Sequence, residues 1–259
     1  MTLLISSWNV NSIRARLEIV LAWAKDTNPD IMLLQETKVQ SSEFPKEPFE
    51  DLGYNIALFG QKTYNGVAIL SKRPLEDIRT GLPQEGDSQS ARYIEAVTGG
   101  IRVASVYVPN GQAKDSPQFS YKLNFFNSLK SHMETLLTYD EALVVGGDFN
   151  VAPSDLDVHN PELWHEQILC TTEERQAFQT LTHLGLHDAL RSMHPKDPLY
   201  TWWDYRAAAF QRNNGLRIDH FLLSPQAMDV TEGAGIDIDP RKLKKTSDHT
   251  PIWISLKNS

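Results

Sequence analysis

The stretch "ALVVGGDFNVAPSD", residues 142–155, joins an apolar run of the kind found in buried strands to polar side chains at its end. Two glycines follow the run, and then Asp148 and Asn150 appear. Gly, Asp and Asn are ordinary turn residues, so a strand that ends in a turn with no catalytic role could have the same sequence. The alternative is that Asp148 and Asn150 stand at the strand end for chemistry, with the glycines letting the backbone turn closely. The rest of the chain decides between these readings.

The sequence around this stretch predicts many short strands with a few helices between them. Apolar residues recur at helical spacing over 14–28, 116–139 and 171–185. Short apolar runs bounded by turn signals predict strands at 2–8, 30–35, 54–60, 66–71, 92–97, 101–108, 142–147, 217–224 and 251–256. This pattern predicts two sheets packed together and covered by helices. No linker divides the chain, so we expect one domain over residues 1–259.

The composition narrows the class of protein. A hydrophobic fraction of 41% and a charged fraction of 22% describe an ordinary globular protein. The net charge of −8 argues against a non-specific nucleic-acid binder unless the basic residues share one face. Cys170 is the sole cysteine, which excludes an intrachain disulfide. Because neither a signal-peptide pattern nor a membrane-spanning run is visible, we expect a cytoplasmic protein without membrane contact.

Carboxylates and amides recur where the apolar runs end. Taken singly, each fits a turn or a solvated charge, and His249 alone fits a structural histidine. Together, the oxygen atoms of this set would suit a hard cation such as Mg²⁺, and a His beside an Asp suits proton transfer or oxyanion stabilisation. The set therefore indicates metal-assisted phosphoester hydrolysis. Its members are Asn9, Asn11, Glu36, Tyr107, Asn110, Asp148, Asn150, Asp219, Asp248 and His249.

Nine segments follow one another along nearly the whole chain: "SSWNVNSIRAR", "PDIMLLQETK", "GYNIALFGQKTYNGVAILSK", "YVPNGQ", "VVGGDFNVAPSDLDV", "TTEERQAFQTL", "YTWWDYR", "GLRIDHFLLS" and "SDHTPIWISL". In this order they resemble the exonuclease III family of DNA repair nucleases, which includes the abasic-site (AP) endonucleases. The resemblance implies the endonuclease/exonuclease/phosphatase fold. That fold is an α/β (α+β), four-layered αββα sandwich of two mixed sheets, with helices outside and the active site at one end.

The resemblance also implies a role for each polar residue at the strand ends. Asp148 would activate the attacking water or protonate the leaving oxygen, with Asn150 as its orienting partner. His249 would polarise the scissile phosphate while Asp219 orients its ring, and Tyr107 would contact the phosphate. The implied metal set is Asn9, Glu36, Asp148, Asn150 and Asp248, and the implied cofactor is Mg²⁺, for which Mn²⁺ can substitute.

A further set of residues is expected to bind DNA. The basic members would concentrate positive potential on the active-site face despite the net charge. Trp202, Leu216 and Ile218 would line a pocket for an extruded sugar or a 3′ terminus, and one of Trp202 and Trp203 would belong to the core. The full set is Asn11, Arg14, Arg16, Lys38, Asn110, Trp202, Arg206, Arg217, Leu216 and Ile218.

Leu169 departs from the family pattern, because AP-cleaving relatives tend to carry a small residue there. A bulky Leu169 would crowd the place where an abasic nucleotide swings in, which favours 3′-end processing. We therefore expect a monomeric Mg²⁺-dependent 3′→5′ exodeoxyribonuclease and 3′-phosphatase. Its partner would be duplex DNA with abasic sites, nicks or blocked 3′ ends, and AP endonuclease activity stays open. The alternatives are a phosphatase of a non-DNA phosphoester and a non-catalytic relative of the same fold.

Overall fold

A computed structural model of the chain describes residues 2–83 and 90–257. These residues form two six-stranded sheets with helices on their outer faces, which confirms the predicted four-layered sandwich. The helices are α1 (Ile13–Thr27), α2 (Glu47–Glu50), α3 (Pro117–Leu137), α4 (Pro161–Trp164), α5 (Thr172–Thr182), α6 (Ala189–Met193) and α7 (Pro225–Asp229). None of the helices within the described ranges is both long and apolar enough to span a membrane.

In the part of the chain that the structure describes, each sheet contains one parallel pair of strands among antiparallel pairs. They are β1 (Thr2–Asn9), β2 (Ile31–Gln35), β3 (Asn55–Phe59), β4 (Val67–Ser71), β5 (Glu76–Thr80), β6 (Tyr93–Thr98), β7 (Ile101–Tyr107), β8 (Leu143–Asp148), β9 (His187–Asp188), β10 (Asp219–Leu223), β11 (Thr231–Ile236) and β12 (Ile252–Lys257). The first sheet has the order β11-β12-β1-β2-β4-β3, and the second has the order β5-β6-β7-β8-β10-β9. The pairs β1–β2 and β7–β8 are parallel, so both sheets are mixed as predicted.

The apolar side chains form three layers. Leu33 from β2 and Phe221 from β10 belong to the core between the sheets. Trp23 of α1 packs on the outer face of the first sheet, while Phe125 of α3 and Phe178 of α5 pack on the outer face of the second. Because successive strand residues point to opposite faces, each sheet buries one set of side chains inside and another under its helices. This explains why the central strands are apolar at nearly every position.

The predicted helices and the nine predicted strands are confirmed, and β5, β9 and β11 are additional. The three additional strands lie at sheet edges, where pairing on one side leaves little apolar surface to bury. The strand β5 is exposed along its whole length, and β9 has 2 residues. The strand β11, "TEGAGI", is rich in glycine. Edge strands of this kind carry no apolar alternation, and the sequence pattern therefore missed them.

The two glycines of the opening stretch lie inside β8 rather than in a turn, which corrects the expectation made from the sequence. A Cβ on Gly146 would stand 2.8 Å from Leu33 Cδ1 of the opposite sheet and 2.5 Å from the Phe221 ring. A Cβ on Gly147 would stand 1.9 Å from the carbonyl oxygen of Val106 on β7. The glycines therefore let β8 approach its neighbours closely and so set the position of the residue that follows them.

Candidate active site

Strand register brings the polar strand ends together at one end of the sandwich. In the second sheet, Asp148 at the end of β8 is the register partner of both Tyr107 on β7 and Asp219 on β10. In the first sheet, Asn9 ends β1 and Glu36 directly follows the neighbouring parallel strand β2. The two rows face each other across the sandwich, so the structure brings these residues together in one group.

The side chain of Asn9 joins the two sheets. Its Nδ2 donates to Glu36 Oε1 and to Asp148 Oδ2, each at 2.9 Å. Its Oδ1 accepts from the backbone N–H of Asn11 at 3.0 Å. The amide nitrogen, not the oxygen, therefore faces the carboxylates, and metal ligation by Asn9 would need the amide to rotate by half a turn. In this arrangement Asn9 holds two acidic residues from different sheets close together.

The residue that orients Asp148 is Asn150. Asp148 Oδ1 accepts from the backbone N–H of Asn150 at 2.9 Å, and Asn150 Nδ2 lies 3.3 Å from Asp148 Oδ2. The same Nδ2 donates to the Val108 carbonyl at 3.0 Å, while Asn150 Oδ1 accepts from Asn110 Nδ2 at 3.1 Å. The arrangement supports the expected orienting role of Asn150. Its amide oxygen faces Asn110 rather than the carboxylates, so its place in the metal set has no support here.

His249 lies between two buried carboxylates. Its Nδ1 is 2.9 Å from Asp219 Oδ2, and its Nε2 is 3.7 Å from Asp148 Oδ2. Asp219 Oδ2 also accepts from Thr201 Oγ1 at 2.5 Å. The loop that carries His249 is attached to β1, because Ser247 Oγ donates to the Asn9 carbonyl at 2.6 Å. The expected pairing of Asp219 with the His249 ring is thus present in the structure.

The two central groups have shifted pKa values. Burial raises the pKa of Asp148 to about 7, although the nearby His249 acts in the opposite direction. Burial disfavours the charged form of His249, but the carboxylates of Asp219 and Asp148 outweigh it and raise the pKa of His249 to about 10. At neutral pH the His249 ring is therefore charged and can donate to a phosphate oxygen, while Asp148 can exchange a proton.

Among the described residues, Glu36, Asp148 and His249 present ligand atoms that all lie within 4.8 Å of one another. Carboxylate oxygens suit a hard divalent cation, whereas the His249 ring is engaged by Asp219. The residues that fit such a cation are therefore Glu36 and Asp148. A cation between them would oppose the effect of burial, because positive charge lowers the pKa of a neighbouring carboxyl.

Asp248 lies outside that group of three ligands. Its carboxylate accepts from Asn11 Nδ2 and from Trp202 Nε1, each at 2.9 Å. Asn11 Oδ1 in turn accepts from Lys38 Nζ at 2.6 Å, and Lys38 also lies 2.7 Å from Glu36 Oε2. These bonds place Asn11 and Lys38 inside the site. The ligand role of Asp248 stays a prediction, and its visible role is to hold Asn11 and Trp202 in position.

Several expected DNA contacts lie on the rim of the site. Arg14 and Arg16 are on the first turn of α1, and Arg16 donates to the Asn11 carbonyl. The Arg206 side chain is 88% exposed and pairs with Asp204 at 2.6 Å. Asn110 is exposed at the end of its loop. Arg14, Arg16, Asn110 and Arg206 lie around the site and Lys38 lies within it, and the contacts of all five with DNA stay predictions.

The expected DNA contact by Arg217 is wrong. Its side chain is 1% exposed, and its guanidinium lies 2.6 Å from Asp157 Oδ1 and 2.8 Å from Asp188 Oδ2. A buried guanidinium held by two carboxylates cannot reach a phosphate. Arg217 instead connects the start of β10 to β9 through Asp188 and to the helical turn Asp155–Asp157 through Asp157.

The expected lining of the DNA pocket is closed. Leu216 and Ile218 are buried in an apolar cluster with Leu169 and Val158, and the half-buried Trp202 packs against it. Direct contact of Leu216 or Ile218 with DNA is therefore wrong for this arrangement. Leu169 is itself buried with φ of +76°, a left-handed conformation that is costly for a bulky residue. The side chain of Leu169 thus fills space where a smaller residue would leave a pocket. Trp203 is buried, so one tryptophan of the pair belongs to the core as expected.

Sequence reasoning missed Thr201 and Lys122. Thr201 orients Asp219, but a lone threonine carries no signal in the sequence. Lys122 donates to the Asn150 carbonyl at 2.6 Å and is fully buried. A signal existed for it, since Lys122 lies three residues before Phe125 on the apolar stripe of the predicted helix. A lysine on such a stripe indicates a buried polar partner.

Comparison with known proteins identifies the family to which the chain belongs. The model of the Endonuclease/Exonuclease/phosphatase family matches residues 6–249, and the chain belongs to that family. It is 35% identical over 263 residues to Exodeoxyribonuclease III of Haemophilus influenzae, covering 97% of this chain and 98% of that protein. The chain is therefore a member of the exonuclease III and AP endonuclease group, as the sequence motifs predicted.

Two solved structures agree with this assignment. One is the 3′ phosphatase NExo from Neisseria bound to a product DNA hairpin, with a TM-score of 0.97 and 44% identity over 98% of this chain and 99% of that one. The other is an AP endonuclease from Archaeoglobus fulgidus, with a TM-score of 0.94 and 38% identity over 98% of this chain and 99% of that one. Together with Exodeoxyribonuclease III, the relatives therefore include proteins named for three different activities.

Proposed function

We propose that this chain is a DNA repair nuclease that hydrolyses phosphoesters at 3′ ends in duplex DNA, as a 3′→5′ exodeoxyribonuclease and 3′-phosphatase. One observation carries the chemistry: Asp148, the Asp219–His249 pair and Glu36 converge from two sheets on a single point. The names of relatives support the substrate, since one is an exodeoxyribonuclease and another a 3′ phosphatase seen with product DNA. Mg²⁺ is the proposed cation, with Mn²⁺ as a substitute.

The proposed reaction is in-line attack of water on the terminal phosphorus. Asp148 accepts the proton of the water as the new P–O bond forms and the bond from phosphorus to the 3′ oxygen breaks, and the departing 3′ oxygen takes up a proton from solvent. The charged His249 donates to a phosphate oxygen, and Asp219 keeps the ring oriented. A divalent cation held by Glu36 and Asp148 would neutralise phosphate charge and help the 3′ oxygen leave. The products are a 3′ hydroxyl and either a 5′ mononucleotide or inorganic phosphate.

Tyr107 fits the expected phosphate contact. Burial raises the pKa of its hydroxyl well above the ordinary value, and the charges of Glu36 and Asp148 raise it further. The hydroxyl therefore stays protonated at working pH and can donate to the phosphate. The guanidinium of Arg92 lies 4.6 Å from the centre of the Tyr107 ring and fixes its position.

The preference for 3′ ends rests on Leu169. Its side chain fills the apolar cluster that also holds Leu216 and Ile218, so a flipped abasic sugar finds no space there. A 3′ terminus needs no such extrusion from the helix. Cleavage at abasic sites is the second candidate activity, because the Archaeoglobus structure carries that name at 38% identity.

The proposed preference can be tested by incubating the purified protein and Mg²⁺ with each of two labelled DNA duplexes and measuring the products. One duplex carries an internal abasic analogue, and the other carries a 3′ phosphate at a nick. We expect release of the 3′ phosphate, little abasic cleavage, and loss of both in Asp148→Asn. Full abasic cleavage by the parent protein would overturn the proposed preference. Leu169→Gly is expected to increase abasic cleavage, whereas Leu243→Gly, on an exposed loop leucine, serves as the matched control.

The role of the cation is tested separately. Removing metal with a chelator should abolish both activities, and Mg²⁺ or Mn²⁺ should restore them. Ca²⁺ should not, because it is larger and its longer, more variable coordination does not hold the phosphate as Mg²⁺ does. Activity that survives the chelator would contradict the proposal. We further propose that residues 1–259 form a single domain and that the protein is a cytoplasmic monomer. Light scattering on the purified protein would test whether it is a monomer.

A further inference from the structure

A buried lysine lies directly behind the catalytic loops. Lys122 is on the inner side of α3, and its side chain is fully buried. Its Nζ donates to the carbonyl of Asn150 at 2.6 Å, to the carbonyl of Asn110 at 3.0 Å and to the carboxylate of Glu174. An ammonium group has three N–H donors, so all of them are used.

The carboxylate of Glu174 extends this network to a third loop. Its Oε1 also accepts from the backbone N–H of Leu169 at 3.1 Å. Its Oε2 accepts from the backbone N–H of Thr171 at 3.0 Å and from the Thr171 hydroxyl at 2.8 Å. Glu174 thus caps the start of α5 and, through Lys122, joins the Leu169 segment to the loops of Asn110 and Asn150.

We propose that Lys122 and Glu174 are positioning residues that hold the loops of Asn110, Asn150 and Leu169 in one arrangement for the reaction. The inference rests on the proposed function, in which Asn150 orients Asp148 and Leu169 fills the pocket. It adds that this geometry is set from behind by a buried ion pair. Neither residue touches the reacting atoms, so neither is a catalytic residue.

A contribution to folding stability does not by itself explain why Lys122 and Glu174 form a buried ion pair. Replacing a buried ion pair by apolar residues of similar size is often neutral or stabilising, and Lys122 lies on a stripe where an apolar residue would pack well. What an apolar residue cannot supply is donors for two loop carbonyls that point inward. The specific contribution of the ammonium group is therefore the placement of these carbonyls, and with them the side chains of their residues.

The first test compares kinetics in three variants on the duplex with a 3′ phosphate. Lys122→Met keeps the length of the side chain and removes its donors, and we expect kcat to fall about 10²-fold, with KM changed much less. Lys122→Arg restores donors and should recover most of that loss. Lys130→Met is the matched control, since Lys130 is on the same helix and pairs at the surface with Glu134 at 2.8 Å.

A second test separates positioning from a general loss of structure. If Lys122 acts through Asn150, then Lys122→Met should lower kcat much less in an Asn150→Ala background than in the parent. Equal losses in both backgrounds, or an unchanged kcat in Lys122→Met, would overturn the inference. Should Lys122→Met fail to fold, Glu174→Gln, which keeps size and removes charge, takes its place in the same cycle.

A third readout does not depend on activity. Amide hydrogen exchange in Lys122→Met should speed up at the loops around residues 110–112, 150–152 and 168–171, while β8 stays protected. Unchanged exchange at all three loops would overturn the inference even if kcat fell. A parent protein that is inactive on both duplexes would contradict the proposed function, and the exchange pattern would still decide whether the pair holds the loops.

Discussion

His249 is the residue whose chemistry depends most on its neighbours. It is buried, and a buried imidazole is ordinarily neutral, yet the adjacent carboxylates keep it charged. Among the groups that raise the pKa of His249, Asp219 has the largest effect, and Thr201 holds Asp219 in place with a 2.5 Å hydrogen bond. The charge on His249 is therefore a property of the arrangement of three side chains and not of the histidine alone.

The substitution Asp219→Asn should remove that support. We expect kcat on a duplex with a 3′ phosphate to fall about 10²-fold to 10⁴-fold, the range seen when acid–base groups are misdirected. The reason is that a neutral amide in place of the carboxylate cannot hold the ring as a charged donor. Asp239→Asn, on an exposed carboxylate paired with Lys242, is the control and should leave kcat unchanged. A parent-like kcat in Asp219→Asn would show that His249 needs no partner.

The backbone at Leu169 leads to a prediction about stability. Because its φ is +76°, a side chain there is strained and glycine is not. Leu169→Ala and Leu169→Gly both lose the buried side chain, but only glycine relieves the strain. We expect Leu169→Gly to be more stable than Leu169→Ala by about 1 kcal/mol in urea unfolding, the reverse of the usual order. Equal or lower stability of Leu169→Gly would contradict the strain.

The site could be predicted from the sequence where its residues stand at the ends of strands. Asp148 and Asp219 follow that rule, because register alone brings them side by side. Arg217 could not be predicted, since its burial depends on Asp157 and Asp188, which are distant in the chain. Lys122 was missed for a similar reason, as its acceptors are loop carbonyls that no sequence pattern marks.

Among the elements, β8 determines most about the site. It pairs with β7 and β10, and it places Asp148 at the meeting point of the two sheets. The central strands were predicted because burial on both faces makes them apolar. The edge strand β11 was not predicted from the sequence. It pairs with a neighbour on one side, and its glycines Gly233 and Gly235 pack against Trp253, so it lacks the apolar residues that mark the central strands.

Gly147→Ala tests how closely β8 must approach β7. A Cβ at this position would stand 1.9 Å from the Val106 carbonyl oxygen, so the two strands would have to separate. We expect a loss of about 3 kcal/mol in the free energy of unfolding, at the upper end of the cost of overpacking, and a lower kcat because Asp148 moves. Gly233→Ala on β11 is the control, since its Cβ would meet the side-chain oxygen Ser255 Oγ at 3.1 Å and the Trp253 ring at an ordinary contact distance of 3.5 Å. Equal losses in both variants would contradict this role.

At the scale of the whole molecule, the fold places basic residues in two different settings, at the active site and in the buried interior. The net charge is −8, yet Arg14, Arg16 and Lys38 lie beside the active site on the first sheet. Arg217 does the opposite and remains inside, where it ties the second sheet to its surrounding segments. Composition alone could not distinguish an arginine beside the active site from a buried arginine paired with carboxylates, because the difference depends on which residues come into contact after folding.

The Arg217 cluster gives stability a predictable dependence on pH. Burial would raise the pKa values of Asp157 and Asp188, but Arg217 outweighs it, and both pKa values lie below the ordinary value. A carboxyl group with a lowered pKa stabilises the fold above its unfolded pKa of about 4, and that stabilisation is lost as the pH falls towards the folded pKa. The free energy of unfolding of the parent should therefore decrease as the pH falls below about 5.

Arg217→Met removes the guanidinium that Asp157 and Asp188 share. It leaves Asp157 paired with Arg191, at 2.6 Å, and we expect it to cost about 3 kcal/mol at pH 7. In this variant burial raises the pKa of Asp188, and that of Asp157 to a lesser extent because Arg191 remains, so these groups become neutral at a higher pH and need no partner once neutral. The difference between parent and variant should therefore shrink as the pH falls from 7 to about 4, as measured by urea unfolding. Arg206→Met, on an exposed arginine paired with Asp204, should cost little at either pH. A cost for Arg217→Met that is the same at both pH values would mean that its packing, and not its charge, holds this part of the molecule together.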